Sequence, residues 1–253
     1  MRTGALGDFC ITLPVLEALF ATGERVDVMC QPRFEVLVRE VGTPGRVWDA
    51  GGVESLWLFG GGGEHRGGDV PHRYSVGVGF SAAHAAALRA CGIPDVRAVE
   101  ARPALGVSAV DHFRSVWPRV ARRGPRAPAA GPVVIAPGAS AERRCWPMER
   151  WRAVADGLAT AGREVRWIGG PLEPWATDRP DLAGLRALAR ACGAWLGADS
   201  GPAHLAAWAG APVGIVARPE SNAWAPEGAR VFGWEAEPAG VVEWAIAAGT
   251  PSP

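Results

Sequence analysis

Ala194-Trp195-Leu196-Gly197-Ala198-Asp199-Ser200-Gly201-Pro202-Ala203-His204-Leu205-Ala206-Ala207 changes character within a few residues. A short apolar run ends at an acid, Ser-Gly-Pro intervenes, and an apolar helical pattern begins. Ser200 or Asp199 can cap that helix, and Pro202 suits its first turn. A second apolar run, Pro212 to Ala217, follows. Strand, helix, strand in this order is a βαβ unit of a parallel sheet, with its loop at the carboxyl edge where open α/β folds hold ligands. Free N–H groups and the dipole at such a helix start favour an anion. An ordinary capped helix gives the same pattern, so both readings stay open on this stretch alone.

Upstream the alternation continues. Val133 to Ala136 reads as a strand, Met148 to Ala161 as a helix, Glu164 to Ile168 as a strand and Leu182 to Ala191 as a helix. Downstream come Arg230-Val231-Phe232 and a last helix from about Ala239 to Ala248. Residues 133–253 therefore predict a parallel, doubly wound sheet. Before them, the Pro/Gly/Ala/Arg run 124–132 reads as an interdomain linker. Residues 1–123 form the other patterned half. Its expected helices are Pro14 to Phe20, Phe34 to Val41, Ala82 to Ala90 and Val110 to Ala121, and its expected strands Arg25 to Cys30, Leu56 to Phe59 and Ser75 to Gly79. Gly60 to Gly68 lacks Gly-x-Gly-x-x-Gly spacing and a following helix, so it reads as a loop. Gly4-Ala5-Leu6-Gly7-Asp8 has the look of a strand-to-helix loop, yet only Met1, Arg2 and Thr3 precede it. The first domain is thus expected to be shortened and to lack an opening strand.

Composition narrows the class. Of 253 residues, 48% are hydrophobic and 21% charged, which describes a globular chain. The formal net charge is zero, which argues against a nucleic-acid surface. All 26 basic residues are Arg, so any cation in a site is a guanidinium that keeps its proton. Cys10, Cys30, Cys91, Cys145 and Cys192 are scattered, with no Cys-x-x-Cys pair. Free thiols in a reducing cytoplasm are expected, with neither disulfides nor zinc. No apolar run reaches the ~20 residues of a membrane helix. Asp8, Pro14 and Glu17 interrupt the apolar stretch Phe9 to Ala21, which argues against a signal peptide.

Three segments resemble one family. Gly4 to Asp8 followed by Thr12-Leu13-Pro14 resembles the opening of the glycosyltransferase family 9 heptosyltransferases. Ala136-Pro137-Gly138-Ala139-Ser140, leading through Arg143-Arg144 to Cys145-Trp146-Pro147 and Trp151, resembles their central donor motif. Asp199 to His204 resembles their C-terminal donor motif. The resemblance implies a GT-B fold, with two Rossmann-like domains across a cleft. It implies acceptor binding by residues 1–123 and nucleotide-sugar binding by residues 133–253. It further implies transfer of heptose from an ADP-activated donor to lipopolysaccharide core, with inversion and without metal. Two departures stand out. Arg144 replaces a usual Lys, and Arg218-Pro219-Glu220-Ser221 replaces a usual Gly-Pro-Thr.

Sugar transfer from a nucleoside diphosphate needs a base for the acceptor hydroxyl and positive potential at the leaving diphosphate. No Asp-x-Asp metal motif exists in the sequence, so no metal and no cofactor is expected and the protein must supply that potential. Asp8 is the candidate base, with helix capping as the competing role. Ala139, Ser140, Arg144, Asp199, Ser200, Gly201 and His204 are the candidate donor-site residues. Glu173, in the loop after the strand ending at Ile168, is a candidate for the ribose. Arg144 competes with a solvated charge beside Arg143, and His204 with a core histidine. The expected partners are a nucleotide-sugar donor and a glycan or glycolipid acceptor, with the oligomeric state open. The expected location is the cytoplasm, with peripheral contact at the inner membrane left open. A non-catalytic nucleotide-sugar-binding module of the same fold is the alternative. A dinucleotide oxidoreductase ranks below both, because the fingerprint glycines and distal acid are missing.

Overall fold

The structure, a computed structural model, describes residues 4–52, 74–122, 124, 126, 129–170 and 173–249. The chain divides into two compact units, Met1–Ala121 and Arg122–Pro253. Every described strand pairing is parallel, as the α/β pattern predicts. The readings of Met1 to Thr3, Leu56 to Phe59, Gly60 to Gly68 and part of the 124–132 linker lie outside the described residues.

The second unit holds one five-stranded sheet. Its strands are β5 (Val133–Ala136), β6 (Val165–Trp167), β7 (Ala194–Ala198), β8 (Val213–Ala217) and β9 (Arg230–Gly233), in spatial order β6-β5-β7-β8-β9. The chain moves outward from β5 to β6, then returns past β5 to β7. The order therefore reverses between β5 and β7, the place where a doubly wound sheet opens a crevice at its carboxyl edge. β5, β7 and β8 are buried along their whole length, as strands covered on both faces must be. On one face Val133, Ile135, Ala194, Leu196 and Val216 pack with Trp151, Val154 and Leu158 of helix α5 (Met148–Thr160) and Val241 and Ala245 of helix α8 (Pro238–Ala248). Helices α6 (Leu182–Ala191) and α7 (Gly201–Trp208) pack on each other, and α7 lies against β7 and β8.

The first unit has two separate parallel pairs among the described residues. β1 (Val28–Cys30) pairs with β2 (Val47–Asp49), and β3 (Val76–Gly79) with β4 (Asp95–Ala98). Helices α1 (Leu6–Phe20), α2 (Glu35–Val41), α3 (Ala82–Ala90) and α4 (Ala109–Arg114) accompany them. No strand precedes α1 among the described residues.

Two expected helices have other bounds. α1 does not begin at Pro14 but continues eight residues upstream to Leu6, with Pro14 inside it. An interior Pro costs about 3 kcal/mol. Phe9 through Val15 are all buried, and at roughly 1.5–3 kcal/mol per large apolar side chain their burial outweighs that cost. α4 ends at Arg114, not Ala121. Pro118 disfavours helical backbone at Trp117, and Arg119 turns the chain with φ 61°.

Candidate donor site in the second unit

The carboxyl ends of β5 and β7 lie side by side, Ala136 opposite Gly197, so the loops that follow them meet. After β5 the chain passes Ala139 and Ser140 into a short 3-10 turn, Glu142–Arg144. That turn aims Arg144 across to the next loop. Arg144 Nη1 lies 3.3 Å from Asp199 Oδ2 and 3.3 Å from the Asp199 carbonyl oxygen. Arg144 Nη2 donates to Ser140 Oγ. On its other side Asp199 Oδ1 lies 3.5 Å from His204 Nε2. Asp199 and His204 are nearly fully buried, with side chains 8% and 7% exposed, while Arg144 keeps 29%. Asp199 thus joins a cation from one loop to an imidazole one turn into α7. Arg144 pairs with Asp199 while keeping part of its side chain in water, and His204 is buried with its Nε2 facing Asp199.

Ser200 is the N-cap residue of α7, with extended backbone (φ −151°, ψ 163°), and Pro202 sits in the first turn as expected. The cap is not closed by a side chain. Ser200 Oγ is buried and has no hydrogen-bond partner among the described residues. The first N–H groups of an α-helix have no acceptor within the helix. A partnerless hydroxyl, an unclosed helix start and a braced guanidinium therefore converge on the crevice between β5 and β7, and an anion satisfies all three.

Glu173 stands apart from that trio. Its carboxylate accepts from Gly170 N–H, and Arg179 Nη2 donates to its carbonyl oxygen at 2.9 Å. It also reaches over Gly138, where a Cβ would meet its carboxylate, so a larger residue there would displace the Glu173 side chain. Ala139 is the next residue, half-buried in the same loop. One feature was invisible in the sequence. Arg218, just past β8, lies over the Trp234 ring at 3.9 Å from its centroid, and its Nε donates to the Arg143 carbonyl at 3.1 Å. Three loops from separate parts of the sequence are tied together this way.

Asp8, in the first unit, is not in a loop. It occupies the third position of α1, and its Oδ2 accepts the Ala5 N–H at 3.1 Å. Its side chain folds over Gly4, where a Cβ would come within 2.6 Å of it. Among the described residues no group of three His, Cys, Asp or Glu side chains is placed to hold a metal. Among them too, no helix is long and apolar enough to cross a membrane.

The model of glycosyltransferase family 9 (heptosyltransferase) matches residues 109–179. No curated protein matches the chain significantly. Solved structures match along nearly its full length. A family 9 glycosyl transferase from Veillonella parvula DSM 2008 is 14% identical with a TM-score of 0.67, covering 100% of this chain and 88% of that one. Escherichia coli ADP-heptose lps heptosyltransferase II is 17% identical with a TM-score of 0.67, covering 97% of each chain. E. coli heptosyltransferase WaaC with ADP is 15% identical with a TM-score of 0.69, covering 98% of each. The fold of the chain is that of the GT-B heptosyltransferases, and residues 109–179 carry the signature of glycosyltransferase family 9, a family of sugar-transferring enzymes.

Proposed function

We propose that the chain is an inverting, metal-independent glycosyltransferase. It moves a sugar, with heptose from ADP-heptose the first candidate, to a lipopolysaccharide-core or other glycan acceptor. Residues 133–253 take the nucleotide-sugar and residues 1–123 serve the acceptor. The reading includes a cytoplasmic location and leaves peripheral contact at the inner membrane open. One observation carries it: Arg144 and His204 converge on Asp199 at the open start of α7, beside a buried Ser200 hydroxyl without a partner. As the bond between sugar and diphosphate breaks, negative charge grows on the diphosphate. The α7 N–H groups and Arg144 stabilise that charge where it develops. In this reading Ala139, Ser140, Ser200 and Gly201 contact the donor, Glu173 takes the ribose, and Asp8 accepts the proton of the attacking hydroxyl.

Isothermal calorimetry with ADP, UDP, GDP and NAD tests the donor site. ADP is expected to bind, and Arg144→Ala to weaken it by about 1.5–3 kcal/mol, the worth of a charged hydrogen bond. Unchanged affinity in that variant removes the assignment. Asp8→Asn keeps the contact to Ala5 but loses basicity, so turnover should fall about 10²–10⁴-fold with ADP affinity intact. The engagement of Asp8 with the start of its own helix favours the second reading, a nucleotide-sugar-binding module without turnover. Binding without transfer, indifferent to Asp8→Asn, establishes that alternative.

A further inference from the structure

The turn that carries Arg144 is small. Glu142–Arg144 is a single 3-10 turn with two backbone bonds, Arg144 N–H to the Ala141 carbonyl at 2.9 Å and Cys145 N–H to the Glu142 carbonyl at 2.8 Å. Such turns have poor hydrogen-bond geometry and little stability of their own. Arg144 must nevertheless hold its direction to meet Asp199 at 3.3 Å. Contacts from outside the turn therefore have to fix it.

Arg218 makes such a contact. Its Nε donates to the Arg143 carbonyl at 3.1 Å. That carbonyl and the Arg144 N–H belong to one planar peptide unit. Arg218 holds one edge of the plane and the Ala141 carbonyl holds the other, which sets the direction in which Arg144 leaves the backbone. Arg218 meets Arg143, another cation, through a carbonyl and not through an acid, so the contact serves position and not charge pairing.

Arg218 is itself anchored. It follows β8 directly, and Pro219 favours the extended backbone it adopts (φ −78°, ψ 154°). Its guanidinium lies over the Trp234 ring. The Trp234 carbonyl accepts from Trp146 Nε1 at 2.9 Å, and Trp146 is buried edge-on against Trp151 of α5. Arg150, in the first turn of α5, donates to the Ala236 carbonyl at 3.2 Å. Segment 234–236 is thereby tied to the core, and Arg218 passes that anchorage on to the turn.

We propose that Arg218 is a positioning residue of the candidate donor site: by holding the Arg143 carbonyl it fixes the peptide plane from which Arg144 reaches Asp199. Its consequence for nucleotide binding rests on the donor reading above; its hold on Arg144 does not.

The test compares the parent with Arg218→Ala and Arg218→Gln, each checked for folding by circular dichroism. Gln places a donor nitrogen as many bonds from Cα as Arg Nε, without the positive charge. Amide exchange at Arg144 and Cys145 should quicken at least about fivefold in Arg218→Ala and return to within about twofold of the parent in Arg218→Gln. ADP should bind Arg218→Ala about 3–10-fold more weakly than the parent, the scale of one hydrogen bond. In an Arg144→Ala background the same substitution should change ADP affinity by less than about twofold, because the residue it positions is gone. Unchanged exchange in Arg218→Ala overturns the proposal. So does a Gln variant that exchanges as fast as the Ala variant. So does a loss of ADP affinity that persists in full without Arg144, which makes Arg218 a direct contact to the nucleotide. A parent that binds no ADP removes the donor reading, and exchange then decides the role of Arg218 alone.

Discussion

Asp199→Asn tests the assembly at the β5–β7 crevice most directly. The substitution keeps shape and a carbonyl acceptor but removes the charge facing Arg144 at 3.3 Å and His204 at 3.5 Å. Removing one partner of a fully buried pair costs about 3–5 kcal/mol. Arg144 keeps 29% of its side chain in water and its contact to the Asp199 backbone carbonyl, so much of its solvation survives. The expected loss is therefore the smaller one of a charged hydrogen bond, about 1.5–3 kcal/mol. For a chain of this length about 1 kcal/mol corresponds to roughly 2–4 °C in Tm, so a fall of roughly 3–12 °C is expected. Calorimetric melting of Asp199→Asn, Arg144→Gln and the double variant gives the coupling by a double-mutant cycle, expected at about 0.5–3 kcal/mol. A coupling indistinguishable from zero, or a Tm within about 1 °C of the parent, refutes Asp199 as the residue that holds the crevice together.

Other expectations follow from particular side chains. Burial and the bond to Asp27 push the Tyr74 hydroxyl from 10.0 up to about 12. A raised pKa stabilises the fold below pH 10 and loses that contribution as pH climbs toward about 12. Melting between pH 9 and pH 12 should show that loss, and Tyr74→Phe should flatten it. Burial likewise pushes Cys30 and Cys192 up to about 11 and Cys10 higher still. Titration of the native protein with a thiol reagent at pH 8 should label Cys91 and Cys145 first, and prompt labelling of Cys10 contradicts the packing of α1. Asp181 caps α6, accepting the Gly184 N–H at 2.7 Å. Asp181→Ala should cost about 1 kcal/mol by denaturant melting, and no change speaks against the cap.

The sequence was most legible where local rules and tertiary demands coincide. Leu182–Ala191 and Ala82–Ala90 have the expected bounds because Asp181 and Ser81 cap them and a Cys-Gly pair follows each. Ala194–Ala198 reads as a strand because a strand covered on both faces is apolar throughout. β2 and β4 left no such signal. Val47-Trp48-Asp49 and Asp95–Ala98 are short and partly polar, and only pairing with β1 and β3 makes them strands. α1 was misjudged for a related reason. Gly7 and Pro14 are poor helix residues, and only burial of the seven residues Phe9–Val15 overrules them.

In the candidate donor site, the residue types were legible but their mutual contacts were not. Spacing marks Asp199, Ser200 and His204 as a strand end and helix start, and it marks Arg144 as a cation in the loop before Trp146. Nothing in the spacing says that Asp199 bridges Arg144, 55 positions away in the chain. That contact follows from the strand order, since only adjacency of β5 and β7 brings the two loops together. It also changes the chemistry. A free Arg144 would attract any anion by charge alone. An Arg144 held between Ser140 and Asp199 has a fixed orientation and a cancelled charge. Under the proposed function its contribution to a diphosphate lies in placed N–H donors, which a pre-oriented guanidinium fork provides and a flexible ammonium does not. Arg144→Lys should therefore lose nearly as much ADP affinity as Arg144→Ala. A lysine variant that binds ADP like the parent would show that the site asks only for a positive charge.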